Sequence, residues 1–321
     1  MGPVRKNLKK VIVKLRFILP TVALFLSSLL FLLLGSDGLN YLDHSLISTH
    51  PILAGNVALA EVAGVTQARP KAISANLSPP QFSAWAVLVK DIDSGQILYQ
   101  KDIDTPYAPA STTKLMSALV AQEHFNAGDI LSVPNLALVG GSTMGLKVGE
   151  TLTFRSLLYG MLLDSGNDAA YTIASNYPGG ITAFVAAMNR KAAELGLKNS
   201  HFENPAGFDN VNHYSSAADL AVIAEAVAGD YQLSKIVSTK QTEVFSFDSS
   251  REHILKNLNR LLEMPGVIGM KTGTTEKAGE NLVGLVERDN HKIITVMLGS
   301  KDRFKETERL IDWVFKNYSW R

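Results

Sequence analysis

Two short apolar runs, AWAVLV at residues 84–89 and QILY at residues 96–99, lie close together in this chain of 321 residues. The connection between them contains Asp91, Asp93 and Gly95, residue types that favour tight turns. Two strand-like runs joined by such a connection predict a β-hairpin.

A second hairpin is predicted near the end of the chain, where NLVGLVE at residues 281–287 and KIITVML at residues 292–298 flank the turn sequence RDNH. Residues 303–318 have the spacing of an amphipathic closing helix. Apolar spacings of three and four predict further helices over residues 111–125, 154–163, 169–177, 181–195 and 217–228. Strands at both ends with helices between them predict an α+β fold, in which both ends of the domain form one antiparallel sheet flanked by helices, with an all-helical lobe.

The composition is that of a globular protein, with 31 Lys and Arg against 30 Asp and Glu, 46% hydrophobic residues and no cysteine. It excludes collagen-like, disordered and disulfide-stapled classes. The lack of cysteine also excludes zinc ribbons, iron–sulfur clusters and thiol nucleophiles.

No cofactor or metal is expected from the sequence. The seven histidines form no H-x-x-x-H pair. We interpret the following ones as structural or surface residues: His124, His201, His213, His253 and His291. Residues 140–144, GGSTM, lack the final glycine of a G-x-S-x-G motif, and no P-loop or dinucleotide fingerprint is present.

The N-terminal region combines a basic segment with an apolar one. Residues 1–16 hold six Lys and Arg and no acid, and residues 17–34, FILPTVALFLSSLLFLLL, carry no charge. That length is near the minimum for a helix to cross a bilayer. Basic residues stay on the cytoplasmic side. We therefore expect a cytoplasmic segment at 1–16, an uncleaved single-pass anchor in the cell membrane at 17–34, and an extracytoplasmic remainder.

Residues 35–80 lose periodicity and collect Ser, Ala, Gly, Asn and Pro, which predicts a linker. Residues 81–321 are long enough to form the folded domain. Outside residues 1–16 the chain holds 25 Lys and Arg against 30 Asp and Glu, so a nucleic-acid partner is not expected.

Ser111 and Lys114 are the first residues that could carry out chemistry. They stand three apart where the chain enters a predicted helix, so the Lys114 amine can reach the Ser111 hydroxyl. A serine becomes an effective nucleophile when a neighbouring base takes its proton, and a lysine with a lowered pKa can be that base. Taken alone, the motif also fits an N-cap serine followed by a solvated lysine, which is the simpler interpretation.

Two further motifs add polar groups. The Ser165 hydroxyl can pass protons, and the Asn167 amide can hold a substrate carbonyl and position the lysine. On an edge strand, Lys271 would supply a positive charge, Thr272 a hydroxyl, and Gly273 the space for a substrate backbone. Taken singly, the first motif also fits a loop or a helix cap, and the second fits an ordinary strand end with a turn glycine.

In this order, Ser-x-x-Lys, Ser-x-Asn and Lys-Thr-Gly are the set found in penicillin-binding proteins and class A β-lactamases. The chain resembles the low-molecular-weight penicillin-binding proteins, serine-type D-alanyl-D-alanine carboxypeptidases of the S11 peptidase family, over about residues 83–313. Further similar blocks are ASTTKLM at 110–116, GSTMGL at 141–146, DSGNDAA at 164–170, NPAG at 204–207, HYS at 213–215 and GMKTGTT at 269–275. The resemblance implies a β-lactamase/penicillin-binding-protein-like transpeptidase fold, with residues 81–321 as a D,D-peptidase catalytic domain.

The resemblance also implies an activity, the removal of the terminal D-alanine from peptidoglycan stem peptides ending in D-Ala-D-Ala. Ser111 would attack the carbonyl and form an acyl-enzyme, and Lys114 would accept its proton. Ser165 and Lys271 would assist proton transfer to the leaving amine, while Asn167 would hold the acyl side chain. β-Lactams would inhibit by acylating Ser111.

Four residues besides Ser111 are implied in substrate binding: Thr272, Gly273, Thr274 and Arg303. The backbone N–H groups of Ser111 and Thr274 would form the oxyanion hole, and Gly273 would leave room for the substrate. Thr272 would bind the terminal carboxylate together with a cation. Arg303 is the favoured cation, and the alternatives are Arg309 and Lys305.

The chain departs from the family in some respects, and rivals stay open. Many members carry a small C-terminal β-domain and end in an amphipathic anchoring helix. Here the N-terminal hydrophobic segment would replace that anchor. The glutamate that activates water in class A β-lactamases has no counterpart at the right spacing, Glu203 being the nearest. A D,D-endopeptidase acting on peptidoglycan cross-links is the closer alternative. A sensor that binds β-lactams or muropeptides without turnover is another, although the full catalytic set argues against it.

Overall fold

The computed structural model describes residues 69–135 and 139–320. The predicted cytoplasmic segment, the predicted anchor at residues 17–34 and most of the predicted linker lie outside the described residues. Within the described ranges, no helix is both long and apolar enough to cross a membrane.

The described residues form eleven strands and seven α-helices. The strands are β1 (Pro70–Ala72), β2 (Ala86–Asp91), β3 (Ile97–Lys101), β4 (Ile130–Ser132), β5 (Thr151–Thr153), β6 (Gln241–Phe245), β7 (Glu252–Lys256), β8 (Val267–Thr275), β9 (Gly279–Arg288), β10 (His291–Ser300) and β11 (Tyr318–Trp320). The α-helices are α1 (Thr113–Gln122), α2 (Phe154–Leu162), α3 (Asn167–Asn176), α4 (Gly180–Glu194), α5 (Ala217–Gly229), α6 (Tyr231–Val237) and α7 (Arg303–Asn317). Short 3-10 turns occur at Ala110–Thr112 and Arg260–Glu263.

A five-stranded antiparallel sheet in the order β3-β2-β10-β9-β8 forms the centre of the domain. Both predicted hairpins are present, β2 with β3 and β9 with β10, and the pairing of β10 with β2 joins them. The two ends of the domain thus share one sheet, and the predicted α+β class is confirmed. The strand that carries Lys-Thr-Gly, β8, lies at the edge of the sheet as assumed.

The central strands are buried on both faces because helices cover each side. On one side, Val286 and Met297 pack with Leu310 of α7. On the other side, Leu285 and Val296 join the core of the helical lobe. Burial on both faces explains why β9 and β10 are nearly continuous apolar runs.

Helix α1 runs through the middle of the helical lobe. Every residue from Thr113 to Ala121 is buried, and the helix contacts α2, α3, α4 and α5. A helix that is buried all round belongs to the core, where close packing fixes each side chain. Lys114 is therefore a core lysine, in contrast to the solvated lysine of the simpler interpretation.

Several small elements were not predicted from the sequence: the β6–β7 hairpin, the β4–β5 pair, the β1–β11 pair and α6. The strand β1 lies in the stretch interpreted as linker, and Trp313 of α7 donates from Nε1 to the Ser78 carbonyl at 2.9 Å. Strands of three residues have no readable periodicity, and the partner of β1 lies at the far end of the chain. Part of the predicted linker is thus packed on the domain.

The carboxylate of Glu306 ties the entry of the sheet to the start of α7. It accepts hydrogen bonds from the backbone N–H groups of Ser83 at 2.7 Å and Ala84 at 3.3 Å, and from the Ser300 hydroxyl at 2.7 Å. Burial acts to raise the pKa of Glu306, but the hydrogen bonds from Ser300, Ser83 and Ala84 outweigh it and hold the pKa below its ordinary value. The ionised carboxylate therefore stabilises the fold.

We expect Glu306→Gln to lower the free energy of unfolding by about 1–3 kcal/mol at neutral pH, because an acceptor oxygen is replaced by an amide that donates. The pKa of Glu306 is lower in the folded than in the unfolded protein. Its contribution is therefore present above the unfolded pKa and is lost as the pH falls through the folded pKa. Urea unfolding at a series of pH values should show the difference from wild type shrinking toward acid. The exposed Glu308, replaced by Gln, is the matched control, and a difference independent of pH would contradict the prediction.

Candidate active site

Ser111 lies in the 3-10 turn Ala110–Thr112 that leads into α1. Two glycines let other segments approach this turn closely. A Cβ on Gly207 would lie 1.8 Å from the carbonyl oxygen of Ala110, and a Cβ on Gly273 would lie 2.8 Å from the Ser111 nitrogen. Any larger residue would push these backbones apart. Gly273 therefore lets β8 reach Ser111, a reason beyond the space for substrate that the sequence suggested.

The amine of Lys114 is fully buried and has three partners. Its Nζ lies 2.8 Å from Ser111 Oγ, 2.8 Å from Asn167 Oδ1 and 2.7 Å from the carbonyl oxygen of Ala206. The last two oxygens can only accept, whereas the Ser111 hydroxyl can also donate. A neutral amine has two N–H groups and one lone pair. When both N–H groups bind the two acceptors, the lone pair faces the Ser111 proton.

Both lysines of the site have lowered pKa values. Burial lowers the pKa of Lys114 well below its ordinary value, and the positive charge of Lys271 adds to this against the opposing charge of Asp168. Burial likewise lowers the pKa of Lys271 to about 7, with Arg303 acting in the same direction and Asp164 opposing. Lys114 is therefore suited to accept a proton and Lys271 to exchange one near neutral pH.

Ser165 and Asn167 lie where α2 gives way to α3. Ser165 is buried and has a left-handed φ of 59°, and Asn167 is the first residue of α3. The Nδ2 of Asn167 donates to the Gly140 carbonyl at 2.7 Å, and its backbone N–H donates to the Ser142 carbonyl at 2.7 Å. Asn167 thus holds the amine of Lys114 and also the segment at residues 140–142.

The buried carboxylate of Asp168 holds the next part of the same segment, residues 144–146. It accepts hydrogen bonds from the backbone N–H groups of Met144, Gly145 and Leu146, each at 3.0 Å. No role for Asp168 is predicted from the sequence. Its position directly after Ser-x-Asn was the one available signal, since the backbone groups it binds could be any residue type.

Lys271 and Thr272 lie on β8 with buried side chains. The Nζ of Lys271 donates to the Thr272 carbonyl at 3.1 Å. Arg303, the first residue of α7, reaches the same strand, and its Nη1 donates to the Gly273 carbonyl at 2.9 Å and to the Thr274 hydroxyl. The structure thus brings the predicted binding residues of β8 together with Arg303.

The two alternative cations pair with acids of the same helix and its cap. Arg309 lies 3.7 Å from Glu306, and Lys305 lies 3.3 Å from Asp302. Among these three cations, Arg303 is the one that hydrogen-bonds to β8.

The loop after α4 supplies a site group that the sequence analysis missed, the carbonyl of Ala206. The side chain of Asn204 fixes this loop because its Oδ1 accepts from the backbone N–H groups of Ala206, Gly207 and Phe208 at 2.8–3.2 Å. The block NPAG at 204–207 resembles a family motif. A backbone acceptor, however, has no residue type by which a sequence could reveal it.

His213 supports α1 next to the site. Its Nε2 lies 2.8 Å from Thr113 Oγ1, and its Nδ1 accepts from the Glu203 N–H at 3.0 Å. Burial lowers the pKa of His213 to about 4, with His201 acting in the same direction and Asp209 opposing. The ring is therefore neutral at ordinary pH and donates from Nε2 to the Thr113 hydroxyl.

Comparison with known proteins identifies the class to which this site belongs. The sequence profile of the S11 peptidase family, described as D-alanyl-D-alanine carboxypeptidase, matches residues 73–302. The D-alanyl-D-alanine carboxypeptidase DacF of Bacillus subtilis is 35% identical over 243 residues, which cover 73% of this chain and 62% of that protein. The chain belongs to the S11 family of D-alanyl-D-alanine carboxypeptidases. It matches only about 62% of the length of relatives such as DacF.

Solved structures share the fold. The Streptomyces K15 DD-transpeptidase is 30% identical, with a TM-score of 0.71 over 75% of this chain and 100% of that one. A D-alanyl-D-alanine carboxypeptidase from Mycobacterium tuberculosis is 33% identical, with a TM-score of 0.70 over 76% of this chain and 95% of that one. They confirm the predicted penicillin-binding-protein-like fold.

Arg303 is one cause of the low pKa of Lys271, so we expect Arg303→Gln to raise that pKa above about 7. A positive neighbour favours the neutral amine, and its removal favours the charged form. NMR titration of isotope-labelled lysine, with the Lys271 signal assigned from Lys271→Met, measures the change. Arg155→Gln removes an exposed guanidinium at the start of α2 and is the control. A Lys271 pKa that falls or stays constant in Arg303→Gln would refute the electrostatic account.

Proposed function

We propose that this protein is a serine-type D-alanyl-D-alanine carboxypeptidase that removes the terminal D-alanine of peptidoglycan stem peptides through an acyl-enzyme on Ser111. Membership of the S11 family supports this reaction class. The observation that carries the proposal is the buried Lys114 amine, which lies 2.8 Å from Ser111 Oγ while two obligate acceptors take its N–H groups. A serine with its own base is the arrangement that attack on a peptide carbonyl requires.

In the acylation step, Ser111 Oγ attacks the carbonyl between the two D-alanines while Lys114 takes its proton. The carbonyl oxygen becomes negatively charged, and the backbone N–H groups of Ser111 and Thr274 stabilise it. The close approach of β8 at Gly273 to the Ser111 nitrogen supports this pairing of donors, because it puts the two N–H groups on adjoining segments.

The carbon–nitrogen bond then breaks, and the amine of the leaving D-alanine takes up a proton. Lys271, with its pKa near 7, and the hydroxyl of Ser165 supply and relay that proton. The proton that Lys114 took from Ser111 then replaces, through the Ser165 hydroxyl, the one that Lys271 gave up, so that Lys114 is neutral again. Water next attacks the acyl-enzyme and gives a proton to Lys114, which passes it to Ser111 Oγ as the ester bond breaks. The products are the shortened peptide and free Ser111.

Substrate orientation comes from both ends of the scissile bond. The hydroxyl of Thr272 and the guanidinium of Arg303 bind the terminal carboxylate. The Nδ2 of Asn167 has a second N–H beyond the one given to Gly140, and it binds a carbonyl of the acyl chain. A β-lactam carries a carboxylate beside a reactive amide, so it acylates Ser111 and blocks the site.

The test is release of D-alanine from diacetyl-L-Lys-D-Ala-D-Ala by the purified full-length protein. We expect Ser111→Ala to abolish release and Lys114→Ala to reduce it by roughly 10²–10⁴-fold, the range for a lost general base. Ser238→Ala is the control, because this hydroxyl bonds to the Lys235 carbonyl on the surface and its loss should leave the rate unchanged.

Labelling by a fluorescent penicillin separates the remaining outcomes. Near-normal labelling of Lys114→Ala would show that the Ser111 proton has another acceptor and would contradict the base assignment. Labelling of the wild type without release of D-alanine would replace the proposal by the endopeptidase or the sensor. Cross-linked muropeptides are the substrate that tells these two apart.

A second candidate is transfer of the acyl group to an amine in place of water. It is favoured by the fold shared with the Streptomyces K15 DD-transpeptidase over the whole of that chain. In the same assay, an added amine such as glycylglycine would then appear in a new, longer peptide. Hydrolysed product alone would leave the carboxypeptidase as the sole activity.

The proposal includes a place in the cell, the membrane, with the catalytic domain on the extracytoplasmic side. It rests on the uncharged run at residues 17–34 behind a basic segment. We expect the full-length protein to stay in the membrane pellet after alkaline carbonate extraction, and a variant lacking residues 1–34 to be released. Mature protein found free of the membrane, with a new N-terminus after residue 34, would contradict the anchor.

A further inference from the structure

Two guanidinium groups lie over the same aromatic ring beside the candidate active site. The guanidinium carbon of Arg303 is 5.0 Å from the centre of the Phe304 ring, and that of Arg260 is 5.5 Å from it. Arg260 begins the turn Arg260–Glu263, which packs against β8 and α7. The ring therefore holds a second arginine next to the one that reaches β8.

Arg303 has hydrogen-bonding capacity that the protein does not use. Its Nη1 donates to the Gly273 carbonyl and the Thr274 hydroxyl. Its Nε is buried and has no partner among the described residues. A buried donor without an acceptor costs free energy, which an incoming acceptor would recover.

The charges around Phe304 leave an excess of positive charge. Glu280 accepts a hydrogen bond from the Arg303 backbone N–H at 3.0 Å and is the acid that acts on this guanidinium. Glu263, on the same turn as Arg260, pairs with Lys240 at 2.9 Å. Burial lowers the pKa of Arg303, Glu280 opposes this, and the nearby charge of Arg260 lowers it further. Two cations that share one aromatic ring favour a bound anion.

We propose that Arg260 is a specificity-determining residue for the carboxylate end of the substrate, and that Arg260 and Arg303 form a two-guanidinium rim around Phe304 that selects peptides with a free terminal carboxylate. This rests on the proposed function, because Arg303 makes the direct contact. Arg260 acts through its charge and through Phe304, which holds both side chains in place.

The proposal predicts a loss that depends on the charge of the substrate. Release of D-alanine from diacetyl-L-Lys-D-Ala-D-Ala is compared with release of D-alaninamide from the same peptide ending in an amide. We expect Arg260→Gln to lower kcat/KM for the acid peptide about three- to tenfold, mainly through KM, and to leave the amide peptide unchanged. Added salt should lower kcat/KM for the acid peptide more steeply in the wild type than in Arg260→Gln.

Two variants separate charge from structure. Arg260→Lys keeps the charge and should retain most of the selectivity for the acid peptide. Arg155→Gln removes an exposed arginine from the helical lobe and should change neither peptide. These variants lose no buried side chain, so they should fold like the wild type.

The outcomes distinguish failure of this inference from failure of the proposed function. An active wild type with Arg260→Gln equal to it, or with both peptides slowed alike, would overturn the role of Arg260 alone. A wild type that cleaves neither peptide and is not labelled by penicillin at Ser111 would overturn the proposed function and, with it, the role of Arg260.

Discussion

The site depends on keeping one lysine amine out of water. Burying a charged ammonium is costly, and burying a neutral amine is acceptable only if its polar atoms find partners. Lys114 meets this condition because Asn167 and the carbonyl of Ala206 take its N–H groups and leave Ser111 as the remaining partner. The same burial that disfavours the charge lowers the pKa of the amine, and this suits Lys114 to accept the Ser111 proton.

Much of the surrounding fold serves that constraint. Helix α1 is buried along nearly its whole length, which fixes where the amine lies. The loop that carries Ala206 can approach only because residue 207 is a glycine, and β8 can approach only because residue 273 is one. Asn204 and Asp168 each hold a loop of the site by accepting three backbone hydrogen bonds. The Lys114 amine is therefore positioned by four segments that are distant in sequence.

The features that could be predicted from the sequence are those that leave a periodic pattern or that require particular residue types. The two hairpins and the long helices follow from apolar spacing and turn residues, whereas the edge position of Lys271 was only assumed. Ser111, Lys114 and Asn167 could be found from their spacing and from resemblance to the family. The Ala206 carbonyl could not, since any residue type can supply a backbone acceptor. The β1–β11 pair escaped prediction because three-residue strands from opposite ends of the domain are specified only by the tertiary fold.

The positive charges of the site also act on one another in turn. Arg303 lowers the pKa of Lys271, and Lys271 in turn lowers that of Lys114. In the proposed reaction, a carboxylate bound beside Arg303 would offset part of its charge, and the pKa of Lys271 would rise. A more fully protonated Lys271 is a better proton source for the leaving amine. Its charge also holds Lys114 more firmly in the neutral form that Ser111 requires. Binding of the correct terminus would thus prepare both the acid and the base, which gives a physical reason for placing the carboxylate site at the end of this series of charges.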